Sequence, residues 1–205
     1  MGRAVSSLAK QAFDRSISAL ALLLLPLVFI LIAAAIKIAM PGPIFFRQVR
    51  VGRRGREYQV IKFRTMVVDA QKKGLGLLID KGDSRIPPLG RFLRRWSLDE
   101  LPQVWNVLKG DMSLVGPRPT VPSQVAQYTE RQRRRLECLP GLTGWAQVNG
   151  RNELSWPERI ELDIWYIDHW SLALDAKILF RTPELLLKGE NVYASNLSKF
   201  EVKKK

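Results

Sequence analysis

The sequence predicts a mainly helical α+β protein, in which a broken, re-entrant membrane helix precedes a compact domain on the cytoplasmic side of a membrane. Three features predict this: an apolar run from about Ile17 to Ile36, two strand-forming runs around VGRRG, and helical patterns in the second half. The expected boundaries are 1–40 for the membrane element, 41–190 for the compact domain and 191–205 for a C-terminal tail.

The apolar run is just long enough to cross a bilayer, which takes roughly 20 residues. Basic residues lie on both sides of it, such as Arg15 before and Lys37 after, and such residues stay preferentially in the cytoplasm. A helix that breaks at Pro26 and returns to the same face keeps both flanks there, since proline kinks helices. A single spanning helix is the alternative, because membrane helices tolerate proline. A cleaved signal peptide is a third, disfavoured by the length of the run.

The formal net charge of +14 calls for an anionic partner. Anionic lipid, phosphate-bearing substrates and nucleic acid are the candidates. The apolar run favours an anionic lipid bilayer and argues against nucleic acid. The single cysteine, Cys138, and single histidine, His169, exclude an internal disulfide and a metal cluster of the Cys/His type. We expect both to pack locally.

Two strand-forming runs, 44–50 and 57–64, flank a short glycine-containing segment and predict a β-hairpin. The chain has neither a GxxxxGK[ST] nor a GxGxxG motif, so no P-loop or dinucleotide fold is supported.

A helix is predicted to start at Ser97 and to end at Gly110. Ser97 and Glu100 form an S-x-x-E pattern typical of a capping box. The apolar residues at i, i+3, i+4 and i+7 predict one buried face; they are Leu101, Val104, Trp105 and Leu108. Glycine- and proline-rich segments at 113–119 and 139–152 predict irregular, site-forming loops. Two further helical patterns cover 155–170 and 171–189.

Two adjacent carboxylates, Asp99 and Glu100, fall in the first turn of that helix, where negative charge is favoured. Such residues often only stabilise the helix. Here arginines crowd the same region, so the pair could instead hold Mg²⁺ while cations such as Lys62, Arg64 and Arg118 bind phosphate oxygens. A carboxylate can also attack phosphorus and form an acyl phosphate. Arg118 lies between two prolines, which stiffen its backbone.

Four strings together resemble the bacterial sugar transferases, the monotopic phosphoglycosyl transferases. They are KFRTM (62–66), RRWSLDELPQ (94–103), VGPRP (115–119) and PGLTGWAQVNGRN (140–152). The resemblance runs from the apolar segment to about Gly189, which suggests a small member of the family. It implies transfer of a sugar 1-phosphate from a UDP-sugar to polyprenyl phosphate, with release of UMP and a requirement for Mg²⁺.

The resemblance also assigns residues. It implies that Asp99 is the nucleophile of an Asp99–Glu100 dyad that could also hold the metal, and that Pro26 breaks a re-entrant helix. Many members carry serine before that proline, where this chain has Leu25. The basic family positions around phosphate and nucleotide are matched by Lys62, Arg94, Arg118 and Arg151.

The sequence therefore predicts an enzyme on the cytoplasmic face of a bacterial inner membrane that starts glycan assembly. The alternative is a basic adaptor without catalytic activity that binds anionic lipid. The adaptor explains the charge and the apolar run but not the clustered loop motifs. The sugar, the oligomeric state, the final glycan and the role of Glu100 are left open.

Overall fold

The computed structural model describes residues 8–70, 82–150 and 153–188. Its helices are α1 (Leu8–Leu24), α2 (Pro26–Ala39), α3 (Pro88–Arg95), α4 (Val104–Lys109), α5 (Pro122–Val125), α6 (Glu130–Arg133), α7 (Trp145–Val148), α8 (Trp156–Asp168) and α9 (Leu172–Lys188). Its strands are β1 (Phe45–Val51), β2 (Glu57–Phe63), β3 (Ser113–Val115) and β4 (Gly141–Thr143). A mainly helical fold with a small hairpin is thus confirmed. Arg151 and the predicted tail, 191–205, lie outside the described residues.

The N-terminal helices α1 and α2 meet at Leu25 with a bend of 65°. Pro26 is the first residue of α2, as expected for a residue that cannot donate the helical hydrogen bond. Neither helix alone is long and apolar enough to cross a membrane, whereas the bent pair together has the length and composition of a broken span or a re-entrant loop.

Helix α1 turns its polar side inward. Lys10, Asp14 and Ser18 follow at intervals of four and are buried, while leucines of the same helix are exposed. The Nζ atom of Lys10 lies 2.5 Å from Oδ2 of Asp175 on α9. The hydroxyl of Ser113 on β3 donates to Oδ2 of Asp14 over 2.6 Å. Buried polar contacts therefore join α1 to the rest of the fold.

Strands β1 and β2 form the predicted antiparallel hairpin, in which Phe45 is opposite Phe63. Strands β3 and β4 form a parallel pair in segments predicted as irregular loops. Each strand has three residues, too few for a periodic sequence signal. A Cβ atom on Gly141 would lie 2.1 Å from the Gly116 nitrogen, so this pairing depends on glycine.

The main apolar core lies between the hairpin, the β3–β4 pair and the last two helices. Its most deeply buried side chains include Val60, Val107, Met112, Val115, Tyr166 and Ile178. Trp145 and Trp170 pack against this core, and Trp156 packs against a second cluster. Trp165 is 39% exposed.

Cys138 and His169 pack locally, as predicted. Cys138 is buried and free, and burial raises the pKa of its thiol to about 12. The ring of His169 stacks on Trp165 with the ring centroids 4.4 Å apart.

The segment after Ser97 differs from the prediction. A 3₁₀ helix (Leu98–Gln103) precedes α4, and Ser97 has φ 53° and makes no capping hydrogen bond with its side chain. The predicted capping box is therefore wrong. Trp105, predicted to be buried, is 53% exposed, because the change from 3₁₀ to α-helix shifts the phase of the buried face. Gly110 ends the helix with φ 90°, as predicted.

Candidate active site

One carboxylate and two cations from three separate segments meet on the domain. The side chain of Glu100, in the 3₁₀ helix, accepts hydrogen bonds at Oε1 from Lys62 Nζ on β2 and from Arg118 Nη2, each over 2.6 Å. Arg118 Nη1 adds a longer bond of 3.3 Å to Oε2. The structure therefore brings together three of the residues that the sequence proposed, although 38 and 18 residues separate Glu100 from its partners.

Asn106 holds the 3₁₀ helix and α4 against the hairpin. Its Oδ1 accepts from the Ile61 backbone N–H at 3.1 Å, and its Nδ2 donates to the Gln59 carbonyl at 2.8 Å. The amide thus satisfies the edge of β2 that β1 leaves unpaired. This contact brings Glu100 to Lys62. The sequence does not single out Asn106, because a lone asparagine in an apolar helix gives no signal of a strand edge.

Asp99 has a different environment from its neighbour. It is 8% exposed, and within the described part of the chain its carboxylate has no hydrogen bond or ion pair. Burial, together with the charge of Glu100, raises the pKa of Asp99 to about 6 against the opposing charges of Lys62, Arg94 and Arg118. Asp99 is therefore a desolvated carboxylate that ionises just below neutral pH.

Glu100 remains ionised. Burial by itself would raise the pKa of its carboxyl, but the Arg118 and Lys62 charges and hydrogen bonds outweigh burial and hold that pKa well below its usual range. Burial lowers the pKa of Lys62, which Glu100 partly restores. Two adjacent carboxylates thus have pKa values displaced in opposite directions, a pattern typical of functional sites.

Helix α3 contributes Arg94, which lies close enough to lower the pKa of Asp99 by its charge. Its Nε donates to Thr65 Oγ1 over 2.8 Å. The same helix contacts the Thr65 backbone so closely that a Cβ atom on Gly90 would lie 2.0 Å from the Thr65 oxygen. Only glycine permits this approach, which fixes the side of α3 that bears Arg94.

Arg64 points elsewhere. Its guanidinium donates to the backbone carbonyls of Met40 and Pro41, directly after α2. In this structure it joins the end of α2 to the hairpin and has no hydrogen bond with the carboxylate pair. Arg151, the remaining predicted substrate residue, lies outside the described residues.

Arg50 is a further cation that sequence analysis missed. It lies on β1, and its Nη1 donates to the Pro119 carbonyl over 3.4 Å. Burial and the neighbouring charge of Arg118 lower its pKa to about 10. Arg50 therefore adds positive charge behind Arg118. Because side chains alternate between the two faces of a strand, the sequence of β1 could have indicated which face carries Arg50.

The Asp99–Glu100 pair is the candidate donor set for Mg²⁺. In residues 8–70, 82–150 and 153–188, no three His, Cys, Asp or Glu residues cluster to hold a metal ion. The Asp99 carboxylate has no partner there, and Glu100 Oε2 has only the 3.3 Å bond. Mg²⁺ commonly takes one or two carboxylates and completes its shell with water and substrate phosphates. These oxygens fit such an ion beside a bound diphosphate.

The chain belongs to the bacterial sugar transferase family, whose family model matches residues 5–189. It is 44% identical over 187 residues to the uncharacterized sugar transferase EpsL of Bacillus subtilis, covering 91% of each chain.

Two larger relatives have more specific names. The UDP-glucose:undecaprenyl-phosphate glucose-1-phosphate transferase of Escherichia coli is 45% identical over 186 residues, with 87% of this chain and 40% of the relative covered. The undecaprenyl-phosphate galactose phosphotransferase of Salmonella typhimurium is 42% identical over 166 residues, covering 74% of this chain and 35% of the relative. This chain thus spans about two fifths or less of both.

Proposed function

We propose that the protein transfers a sugar 1-phosphate from a UDP-sugar to a polyprenyl phosphate and releases UMP. The names of the E. coli and Salmonella relatives support the donor and the lipid acceptor. The exposed apolar residues of α1 and α2 support a re-entrant element at the cytoplasmic face of the inner membrane. There the acceptor phosphate and the anionic lipid head groups meet the basic domain.

The contrast between Asp99 and Glu100 carries the proposal. A nucleophile must be ionised and must not be paired with a cationic side chain of the protein, and Asp99, with a pKa near 6, meets both conditions at neutral pH. Glu100 is bound by two cations and is a poor nucleophile. It positions Lys62 and Arg118 toward the substrate.

The reaction has two steps. An Asp99 carboxylate oxygen attacks the phosphorus that bears the sugar, the bond to the bridging oxygen breaks, and UMP leaves with that oxygen. The sugar phosphate is then attached to Asp99 as an acyl phosphate. An oxygen of polyprenyl phosphate attacks the same phosphorus and releases the carboxylate, so that a sugar–diphosphate lipid forms.

The cations around the pair bind the charge of the substrate. Lys62, Arg94 and Arg118 provide a compact ammonium and two guanidinium groups, and phosphoryl transfer depends mainly on positioning and charge stabilisation. Mg²⁺ bound by Asp99 and Glu100 oxygens would neutralise charge on the diphosphate.

A single incubation tests the proposal. The protein is mixed with a panel of UDP-sugars and Mg²⁺ without lipid acceptor, and UMP release and intact mass are measured. We expect one equivalent of UMP and an added sugar phosphate that peptide mass spectrometry locates on Asp99. Asp99→Asn should abolish both, whereas Asp69→Asn, a matched change at an exposed aspartate, should abolish neither.

The outcomes separate the alternatives. An adduct on Glu100 would reverse the two roles. Turnover with polyprenyl phosphate but without any adduct would favour direct attack by the lipid phosphate. The absence of UMP release with every sugar and acceptor would favour the lipid-binding adaptor.

A further inference from the structure

A buried ion pair lies directly behind the loop that carries Arg118. Arg135, in the 3₁₀ helix Arg134–Glu137, is 5% exposed, and Asp163 on α8 is 1% exposed. Arg135 donates to Asp163 Oδ2 from Nε over 2.8 Å, and its Nη2 lies 2.6 Å from the same oxygen. Neither residue touches the carboxylate pair, and the mechanism above uses neither.

The Arg135 guanidinium also reaches the backbone of Arg118. Its Nη2 donates to the Arg118 carbonyl over 3.0 Å, and its Nη1 donates to the Tyr128 hydroxyl. It lies over the Trp156 ring, 5.3 Å from the centroid. The Arg135 guanidinium therefore joins α8 to the loop, and its three hydrogen-bond partners fix its orientation.

Three consecutive carbonyls of this loop are held by different segments. The Pro117 oxygen accepts from the Gly141 N–H at 2.9 Å, the Arg118 oxygen accepts from Arg135, and the Pro119 oxygen accepts from Arg50. The Arg118 and Pro119 carbonyls both accept from a guanidinium, but Arg135 is buried whereas Arg50 is only partly buried. The central carbonyl belongs to Arg118, whose side chain donates to both carboxylate oxygens of Glu100.

The pair is a costly way to stabilise a fold. Burying two charges removes them from water, and apolar replacements of similar volume are often as stable or more stable. An arginine that carries three separate partners does what an apolar side chain cannot do: it sets the position of one carbonyl relative to α8. Because prolines restrict the residues on both sides of Arg118, fixing this carbonyl also fixes where its side chain begins.

We propose that Arg135, oriented by Asp163, is a positioning residue for Arg118, so that Arg118 reaches Glu100 and the substrate phosphate. This inference rests on the proposed function for its effect on turnover. It predicts that Arg135 acts through Arg118 and not through general stability.

The test is a double-mutant cycle in the full chain. Arg135→Lys keeps the charge near Asp163 but loses the fork that also reaches the Arg118 carbonyl. We expect kcat for UMP release to fall at least tenfold in the wild-type background, and less than threefold further in an Arg118→Ala background. Equal losses in both backgrounds, or wild-type activity for Arg135→Lys, would overturn the proposal.

Matched controls come from the neighbouring pair. Arg134 and Asp168 join the same 3₁₀ helix to α8 through an exposed contact of 2.5 Å. Arg134→Lys and Asp168→Asn should leave kcat within twofold. If Arg135→Lys does not fold, Tyr128→Phe removes only one partner of the guanidinium; it should lower kcat about threefold, and only when Arg118 is present.

Hydrogen–deuterium exchange gives a readout that does not need turnover. The peptide containing Arg118 should exchange faster in Arg135→Lys than in wild type. Its exchange rate in Arg134→Lys should equal that of wild type. Unchanged exchange in Arg135→Lys would contradict the positioning role even if the protein had no transferase activity. UMP release by the wild type tests that activity separately.

Discussion

Lys62 and Arg118 share one acceptor atom, Oε1 of Glu100, and each donor lies 2.6 Å from it. Glu100 thereby holds an ammonium and a guanidinium side by side, although the two cations repel each other. The arrangement leaves Asp99 as the carboxylate without a partner in the described part of the chain.

Arg118→Lys should lower kcat/KM for UMP release at least tenfold, which corresponds to about 1.4 kcal/mol of transition-state binding. Lysine keeps the charge but cannot form both bonds of the guanidinium fork to Glu100. Steady-state kinetics with saturating acceptor measure the change. Arg131→Lys, in an exposed pair with Glu161, is the control. Near-normal turnover by Arg118→Lys would rule out a role for the fork.

The pH profile should report Asp99. Because its pKa is raised to about 6, kcat/KM should fall below that pH as the nucleophile becomes protonated. The Lys62 charge lowers this pKa, so Lys62→Met should move the acidic limb to higher pH. An acidic limb that does not move would show that another group limits the rate at low pH.

Asp99→Asn should stabilise the fold at pH 7.5 while it removes activity. Since the folded-state pKa of Asp99 exceeds that of an aspartate in the unfolded chain, protonation favours folding, and this advantage is lost as the pH rises from about 4 through 6. An uncharged asparagine avoids that loss, so the free energy of unfolding at pH 7.5 should rise by about 1 to 3 kcal/mol. Denaturant unfolding at pH 7.5 and pH 4 measures the difference, which should be several times smaller at pH 4 than at pH 7.5. A variant less stable than wild type at pH 7.5 would contradict the desolvation of Asp99.

Pro26→Ala should favour a straight, spanning helix, because alanine restores the missing N–H donor. In a Cys138→Ala background, single cysteines at positions 6 and 59 are labelled with an impermeant reagent in intact spheroplasts. With Pro26 present, both should be protected; in Pro26→Ala, position 6 should become reactive. Leu25→Ser, beside the break, is the control and should keep both protected. Labelling of position 6 with Pro26 present would show a span in the native protein.

Lys10→Met should destabilise the protein by about 3 to 5 kcal/mol, because it leaves the Asp175 charge buried without its cation. Glu161→Gln, which breaks an exposed pair, should cost about 1 kcal/mol or less. Thermal unfolding in detergent measures both variants. Similar small effects would show that Asp175 is satisfied without Lys10 by the Tyr166 hydroxyl and the Trp170 ring N–H.

The features that sequence analysis predicted correctly have strong local signals. The break before Pro26, the hairpin and the two last helices follow from proline chemistry, strand propensity and helical spacing. The candidate site was proposed from clustered motifs around Asp99, Glu100, Lys62 and Arg118, and the structure brings Glu100, Lys62 and Arg118 into contact. How these residues act in catalysis stays a prediction.

The missed features depend on partners far away in the chain. The β3–β4 pair is too short to show periodicity, and Asn106 matters only because an edge of β2 lies beside it. Lys10 gives no sequence signal of its role, because its partner Asp175 lies 165 residues away. The prediction that Trp105 is buried was wrong for a local reason, since a change from 3₁₀ to α-helix alters which residues share a face.

The ion pair of Lys10 and Asp175 can form only late in the synthesis of the chain. The ribosome adds Asp175 165 residues after Lys10, so α1 emerges long before its counter-ion exists. Until α9 is synthesised, Lys10 of α1 lacks its ionic contact with Asp175. The exposed leucines of α1 are already available for apolar contacts. The interface between α1 and the rest of the fold therefore stays incomplete in the nascent chain until α9 has been synthesised.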